Sequence, residues 1–332
     1  MNIRNRKALK DFAKGRLAGN QEAKKLILVY SAIILGLSLL VTAINYGLDL
    51  QIDRTGGLGN MGTRAVLDTL QQVLPLVQFV IALCLGLGYS AAMLRIARGQ
   101  YVSLHTLKLG FDRFWPLLRL TVFRGLIYLA ASLLGIYLGT MLYMLTPMSE
   151  SAMALLEPVL GSVTALNPSI TLDDAMYGQL LTALAPCFAI CAVACMVLIV
   201  PIFYRYRLAS YLLIDRPAIG ALAALRESRR LMRRNRFAFF RLDLSLWCYY
   251  ALLFLVGFVA YGDMLLGLLG ITLPGGEAVF YFGFYLLYLL CQLGIAYWLQ
   301  NRVETCYCLA YDSLLPKETP DNGVVLGNIF QM

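Results

Sequence analysis

The chain has 332 residues, 60% of them hydrophobic and 14% charged, with a mean hydropathy of +0.70 and a formal net charge of +9. Soluble globular chains hold about 45–50% apolar and about 25% charged residues, so a water-soluble fold could not cover this much apolar surface. The same figures exclude a disordered chain, a collagen-like fibre and a disulfide-stapled scaffold, and leave an integral membrane protein.

Residues 1–25 hold eight basic and two acidic side chains. Leu9, Phe12, Ala13 and Leu17 share a helical face there, beside Lys7, Lys10 and Lys14, and Gly19-Asn20 supplies a stop. The first apolar run, Leu26–Leu48, follows, and Leu74–Leu94 is the second. Gly56-Gly57-Leu58-Gly59 between them reads as flexible linker, because no strand precedes it. A second basic segment, 95–124, offers Ser103 as a cap for a turn bearing Leu104, Leu107, Phe111 and Phe114. The third and fourth runs are Gly125–Leu145 and Leu180–Tyr204. The segment 146–179 between them, broken by Pro158 and Pro168, is expected to lie on the membrane or to cap a cavity. In the third basic segment Asp215 is a candidate cap and Pro217 suits a first turn. Leu222, Leu225, Ser228 and Met232 then fall on one side of a helix, with Arg226, Arg229, Arg230, Arg233 and Arg234 on another. The last runs are Leu242–Tyr261 and Val279–Trp298.

A helix crosses a hydrocarbon core of about 30 Å with about 20 residues, and six runs meet that length. Each is continuous rather than alternating, which favours helices over barrel strands. The expected fold is all-α: six transmembrane helices and three short interfacial amphipathic helices, in a basic segment 1–25, a membrane domain 26–315 and a tail 316–332. Pro75, Pro186 and Pro201 are expected to kink their helices or mark the ends.

Lys and Arg accumulate on the cytoplasmic side of membrane helices. Segments 1–25, 95–124, 205–243 and the tail from 302 together hold 26 of the 28 basic residues, whereas 146–179 and 260–279 hold none. The alternation predicts both termini in the cytoplasm and a location in the cell inner membrane. It also explains the net charge without nucleic acid. The order "basic amphipathic helix, span out, span back" occurs three times, which predicts three hairpin repeats about an axis normal to the membrane. Arg113-Phe-Trp-Pro-Leu-Leu-Arg119-Leu120 and Arg236-Phe-Ala-Phe-Phe-Arg241-Leu242 are the closest textual echo of such a repeat.

Three stretches carry a family likeness. They are Leu9-Lys10-Asp11-Phe12-Ala13-Lys14 with Leu17-Ala18-Gly19-Asn20; Ser228-Arg229-Arg230-Leu231-Met232 with Phe240-Arg241-Leu242-Asp243-Leu244-Ser245-Leu246-Trp247; and Tyr307-Cys308-Leu309-Ala310-Tyr311-Asp312-Ser313-Leu314. With these the chain resembles the domain-of-unknown-function family numbered 975, bacterial integral membrane proteins. The resemblance implies a multi-pass membrane protein and no particular reaction.

No catalytic constellation, metal site or cofactor is expected. His105 stands alone in a basic loop and reads as solvated. Cys187, Cys191 and Cys195 recur on one face of the fourth run; that spacing suits a soft metal, but in a membrane helix it more often lets a neighbour pack closely. Arg119, Arg124, Asp243 and Glu304 lie near cytoplasmic ends, where snorkelling lowers their cost. Uncharged Gln78 and Gln292 could bridge helices. The central thirds of the six runs hold no ionisable acid or base, which argues against a proton-coupled carrier. What remains is the arginine cluster Arg226, Arg229, Arg230, Arg233, Arg234 and Arg236, a candidate docking face for anionic phospholipid headgroups or for a cytosolic or membrane protein partner. The expected function is non-enzymatic organisation of lipids or partners through the basic interfacial helices. The alternative is a transporter or channel for a small molecule or lipid.

Overall fold

The computed structural model describes residues 5–18, 20–54, 61–155, 174–262 and 277–315. The Gly56–Gly59 linker, Pro158, Pro168 and the tail 316–332 lie outside the described residues. In chain order the helices are α1 (Arg6–Ala18), α2 (Gln21–Arg54), α3 (Met61–Ala97), a 3-10 turn (Leu104–Lys108), α4 (Leu109–Asp112), α5 (Phe114–Met144), α6 (Asp174–Tyr206), α7 (Ala209–Asp215), α8 (Ala221–Met232), α9 (Arg236–Ser245), α10 (Trp247–Val259), α11 (Glu277–Ile295), a π-turn (Ala296–Gln300) and α12 (Asn301–Asp312). The described residues contain no strand.

Five helical stretches are long and apolar enough to cross a membrane, and six if the bent pair α9–α10 counts as one. They are apolar without being buried. Only 6% of the most apolar window in Thr182–Asp215 is buried, and α10 buries none of its residues. Helices that are apolar all round and face outward require lipid. The fifth span departs from the straight rod expected over Leu242–Tyr261. α9 and α10 meet at 62°, with Leu246 leaving helical geometry (φ −106, ψ 16). No Pro or Gly marks this break.

The chain divides into two compact units, Met1–Phe114 with Phe237–Met332, and Trp115–Arg236. In the first, Tyr30 of α2 stacks on Tyr89 of α3 with centroids 4.7 Å apart, and Ser38 of α2 hydrogen-bonds Tyr285 of α11 at 2.8 Å. α12 forms the core: residues 305–311 are all buried. α1 lays Leu9 and Ala13 against α12, and Asn5 and Asn20 cap α1 and α2 by accepting from the amides of Ala8 and Ala23. Phe12 points outward instead, under the guanidinium of Arg16. α3 meets the 3-10 turn and α4 backbone to backbone. A Cβ at Gly88 would fall 2.3 Å from the Leu107 carbonyl oxygen, and one at Gly110 would overlap the Cys84 carbonyl. Of the apolar set around that turn only Leu107 is buried, because the 3-10 geometry breaks the helical register; Leu104 and Phe111 are exposed.

In the second unit α5 and α6 pack through small residues, and Tyr143 of α5 donates to the Ala183 carbonyl of α6 at 3.0 Å. The helix starts differ from the sequence expectation. Gly220, not Asp215, stands at the cap position of α8, and Asp215 is the last residue of α7. Ser103 stands before its turn but makes no side-chain cap.

Candidate functional site

Two polar features stand out, one in each unit. The first is the arginine face of α8. Ala221, Ala224, Leu225, Ser228 and Met232 are buried on one side of this helix, which packs on α6 and α7. Ser228 fixes the packing by donating to the Arg205 carbonyl at 2.9 Å, so the first residue after the fourth apolar run anchors the helix. Leu222, expected on this face, is 50% exposed. The apolar side of α8 is therefore covered by protein, and its basic side is what faces out. Arg226, Arg229, Arg230, Arg233 and Arg234 are exposed, and Arg236 at the start of α9 is half-buried. Arg230 pairs with Glu227 at 2.9 Å, a largely exposed contact. Arg236 feels the like charges of Arg205 and Arg229. A single acid cannot neutralise such a group of guanidinium cations, which makes the face an attractor for anions.

The second feature lies in the first unit, where the spans meet α12. Tyr89 donates to Asn301 Oδ1 at 2.9 Å, and Asn301 Nδ2 donates to the Ala23 carbonyl at 3.3 Å. Ser90 donates to Glu304 at 2.8 Å. Tyr307 donates to Asp243 at 2.7 Å and also meets the hydroxyl of Tyr250. Arg98 forks onto Asp312, with Nη2 2.7 Å from Oδ1. Lys10 of α1 donates to the Ser245 carbonyl at the α9–α10 break, and Arg6 donates to the Arg241 carbonyl at 3.3 Å. Asp243 and Glu304 thus do not snorkel alone, as the sequence suggested; each accepts from a neighbouring helix. Sequence reasoning missed Tyr89, Asn301 and Tyr307. Their signal was polar residues recurring in α12 just past the apolar run, at positions 301, 304, 305 and 307.

Two of the three cysteines of α6, Cys191 and Cys195, pack closely on glycines of α5. A Cβ on Gly135 would meet Cys195 Cα at 2.8 Å, and one on Gly139 would meet Cys191 Cα at 2.6 Å. The thiols of Cys191 and Cys195 face the Ile136 and Ser132 carbonyls. Small residues on both helices let the backbones touch. Among the described residues no group of His, Cys, Asp or Glu is arranged to hold a metal ion, and His105 is exposed.

Residues 1–318 match the family described as protein of unknown function, DUF975. The chain belongs to the DUF975 family. No curated protein and no solved structure matches this DUF975 chain. All three signature stretches lie within the match, and the structure gives their parts physical duties. The first is α1 with the Asn20 cap, the second contributes Ser228 and Asp243, and the third is the buried α12.

Proposed function

We propose that this DUF975 protein is a non-enzymatic membrane protein that gathers anionic phospholipid, or a protein partner with an acidic surface, on the arginine face of α8. The supporting observation is the split of that helix. Its apolar side is held by α6 and α7 through Leu225, Ser228 and Met232, so the arginine-bearing side of the helix is turned outward. Basic residues near an anionic leaflet each contribute about 1 kcal/mol, and five exposed arginines give a substantial attraction even after desolvation. The partition of 26 of 28 basic residues supports an inner-membrane location with both termini and this face in the cytoplasm. Replacing Arg229, Arg230, Arg233 and Arg234 together by Gln is expected to lower phosphatidylglycerol retention in native mass spectrometry by about tenfold or more. Unchanged retention rejects lipid gathering by this face.

A second reading, a transporter or channel for a small molecule or lipid, draws on one observation. The α9–α10 helix is broken beside Asp243, Ser245 and Tyr307, and discontinuous helices often carry transport sites. Solute flux into proteoliposomes that is abolished by Asp243→Asn would favour it over lipid gathering.

A further inference from the structure

A second basic site, separate from the arginine face, lies wholly within the first unit. It is a cavity of about 210 Å³ where the end of α1, the start of α2 and the π-turn meet. Lys14, Lys24 and Arg302 line it, with Tyr297, Trp298 and Asn301. No acidic side chain contributes to the lining, and none of the three cations forms an ion pair among the described residues. Three positive charges around one concavity favour a doubly or singly charged oxyanion.

The placement says which anion. Lys24 precedes the apolar run of α2, which opens at Leu26, and Arg302 follows the run that closes at Trp298. The cations therefore ring the polar end of two helices that pack together through Ser38 and Tyr285. Tyr297 and Trp298 meet edge to face at 5.8 Å, and Trp298 is 70% exposed, as expected of aromatic rings at headgroup level. The π-turn places these neighbouring rings at the rim, and π-turns inside α-helices are frequent at functional sites. Asn301 forms a fixed floor, since its amide is already engaged by Tyr89 and Ala23. The volume falls below the roughly 300 Å³ at which clefts for whole small molecules begin, so it suits a headgroup whose chains lie outside.

We propose that this pocket binds the phosphate of one anionic phospholipid, held by Lys14, Lys24 and Arg302 with Trp298 beside its glycerol. The site does not depend on the arginine face and stands or falls apart from it.

The chain has three tryptophans, so Trp115→Phe with Trp247→Phe leaves Trp298 as the only one. Full-length protein in this background is placed in nanodiscs holding equal fractions of brominated phosphatidylglycerol or brominated phosphatidylcholine. Trp298 quenching should report an enrichment of the anionic lipid on the order of tenfold. Lys14→Gln, Lys24→Gln and Arg302→Gln together should abolish the difference, while Arg229→Gln with Arg230→Gln should leave it. Equal quenching by the two lipids in the starting protein overturns the proposal without any appeal to the triple variant's folding. Loss of the difference in the arginine-face variant also overturns it, because the attraction would then be diffuse. A soluble arm separates the sources. If glycerol phosphate shifts Trp298 emission in zwitterionic nanodiscs while the brominated anionic lipid gives no excess, the pocket takes free phosphate and the lipid assignment is wrong.

Discussion

Asn301 uses both ends of its amide inside the protein, accepting from Tyr89 and donating to Ala23, at only 5% exposure. A buried acceptor that loses its donor keeps its desolvation cost and gains nothing in return, about 1–3 kcal/mol. Tyr89→Phe should therefore destabilise the fold by about 1–3 kcal/mol, read in detergent as a lower thermal unfolding midpoint. Adding Asn301→Leu should recover part of the loss, because removing both partners costs less than orphaning one. Strictly additive losses would show that the pair is not coupled. The carboxylates of this layer were legible in the sequence as Asp243 and Glu304 at helix ends, but their partners were not. Tyr307 is 64 residues from Asp243, and Ser90 is 214 residues from Glu304. No local pattern encodes a hydrogen bond across such separations; it exists only once helices have chosen neighbours.

At the scale of elements, the apolar runs declared themselves by length, since lipid demands about 20 consecutive residues whatever the neighbours do. The amphipathic faces were legible only in part. Leu9, Ala13, Leu225 and Met232 are buried as periodicity expects, whereas Phe12 and Leu222 sit outside a stripe that is narrower than the apolar set. The break at Leu246 was invisible because its cause is not local. A carbonyl freed at a helix break needs a donor, and Lys10 reaches from α1 to supply one to Ser245. Lys10→Met should leave that carbonyl without its donor and loosen the bend. Amide hydrogen exchange over residues 246–250 should then quicken by about tenfold, with α5 and α6 unchanged. Unaltered exchange there would mean that the bend is held by Tyr307 and Asp243 without help from α1. α1, which composition marks as a surface helix, is held in two ways: Leu9 and Ala13 are buried against α12, and its basic side chains serve two backbone carbonyls of α9, Arg241 and Ser245.

For the whole molecule, the governing quantity is the sign of charge between successive apolar helices. Each charged residue carried across the bilayer resists insertion, and basic residues resist translocation most, so the side that keeps Lys and Arg is set during assembly. Here segments 1–25, 95–124 and 205–243 hold eight, six and ten basic residues, against two, none and none in 49–72, 146–179 and 260–279. Reporter fusions test the resulting orientation directly. Alkaline phosphatase should be active when joined after Gly59 or after Gly161 and silent after Arg98 or Arg234; a fluorescent protein should give the reverse. The junction after Arg234 decides most. It follows α8, so its side of the membrane determines which leaflet the arginine face can meet. Phosphatase activity there would place five exposed arginines outside the cell interior and remove the proposed contact with the cytoplasmic leaflet. With the amino terminus inside, it would also demand that one of α2, α3, α5 and α6 not span, since an odd number of crossings would then separate residue 234 from the amino terminus. Signal at that one junction therefore tests the crossing count and the direction of the arginine face together.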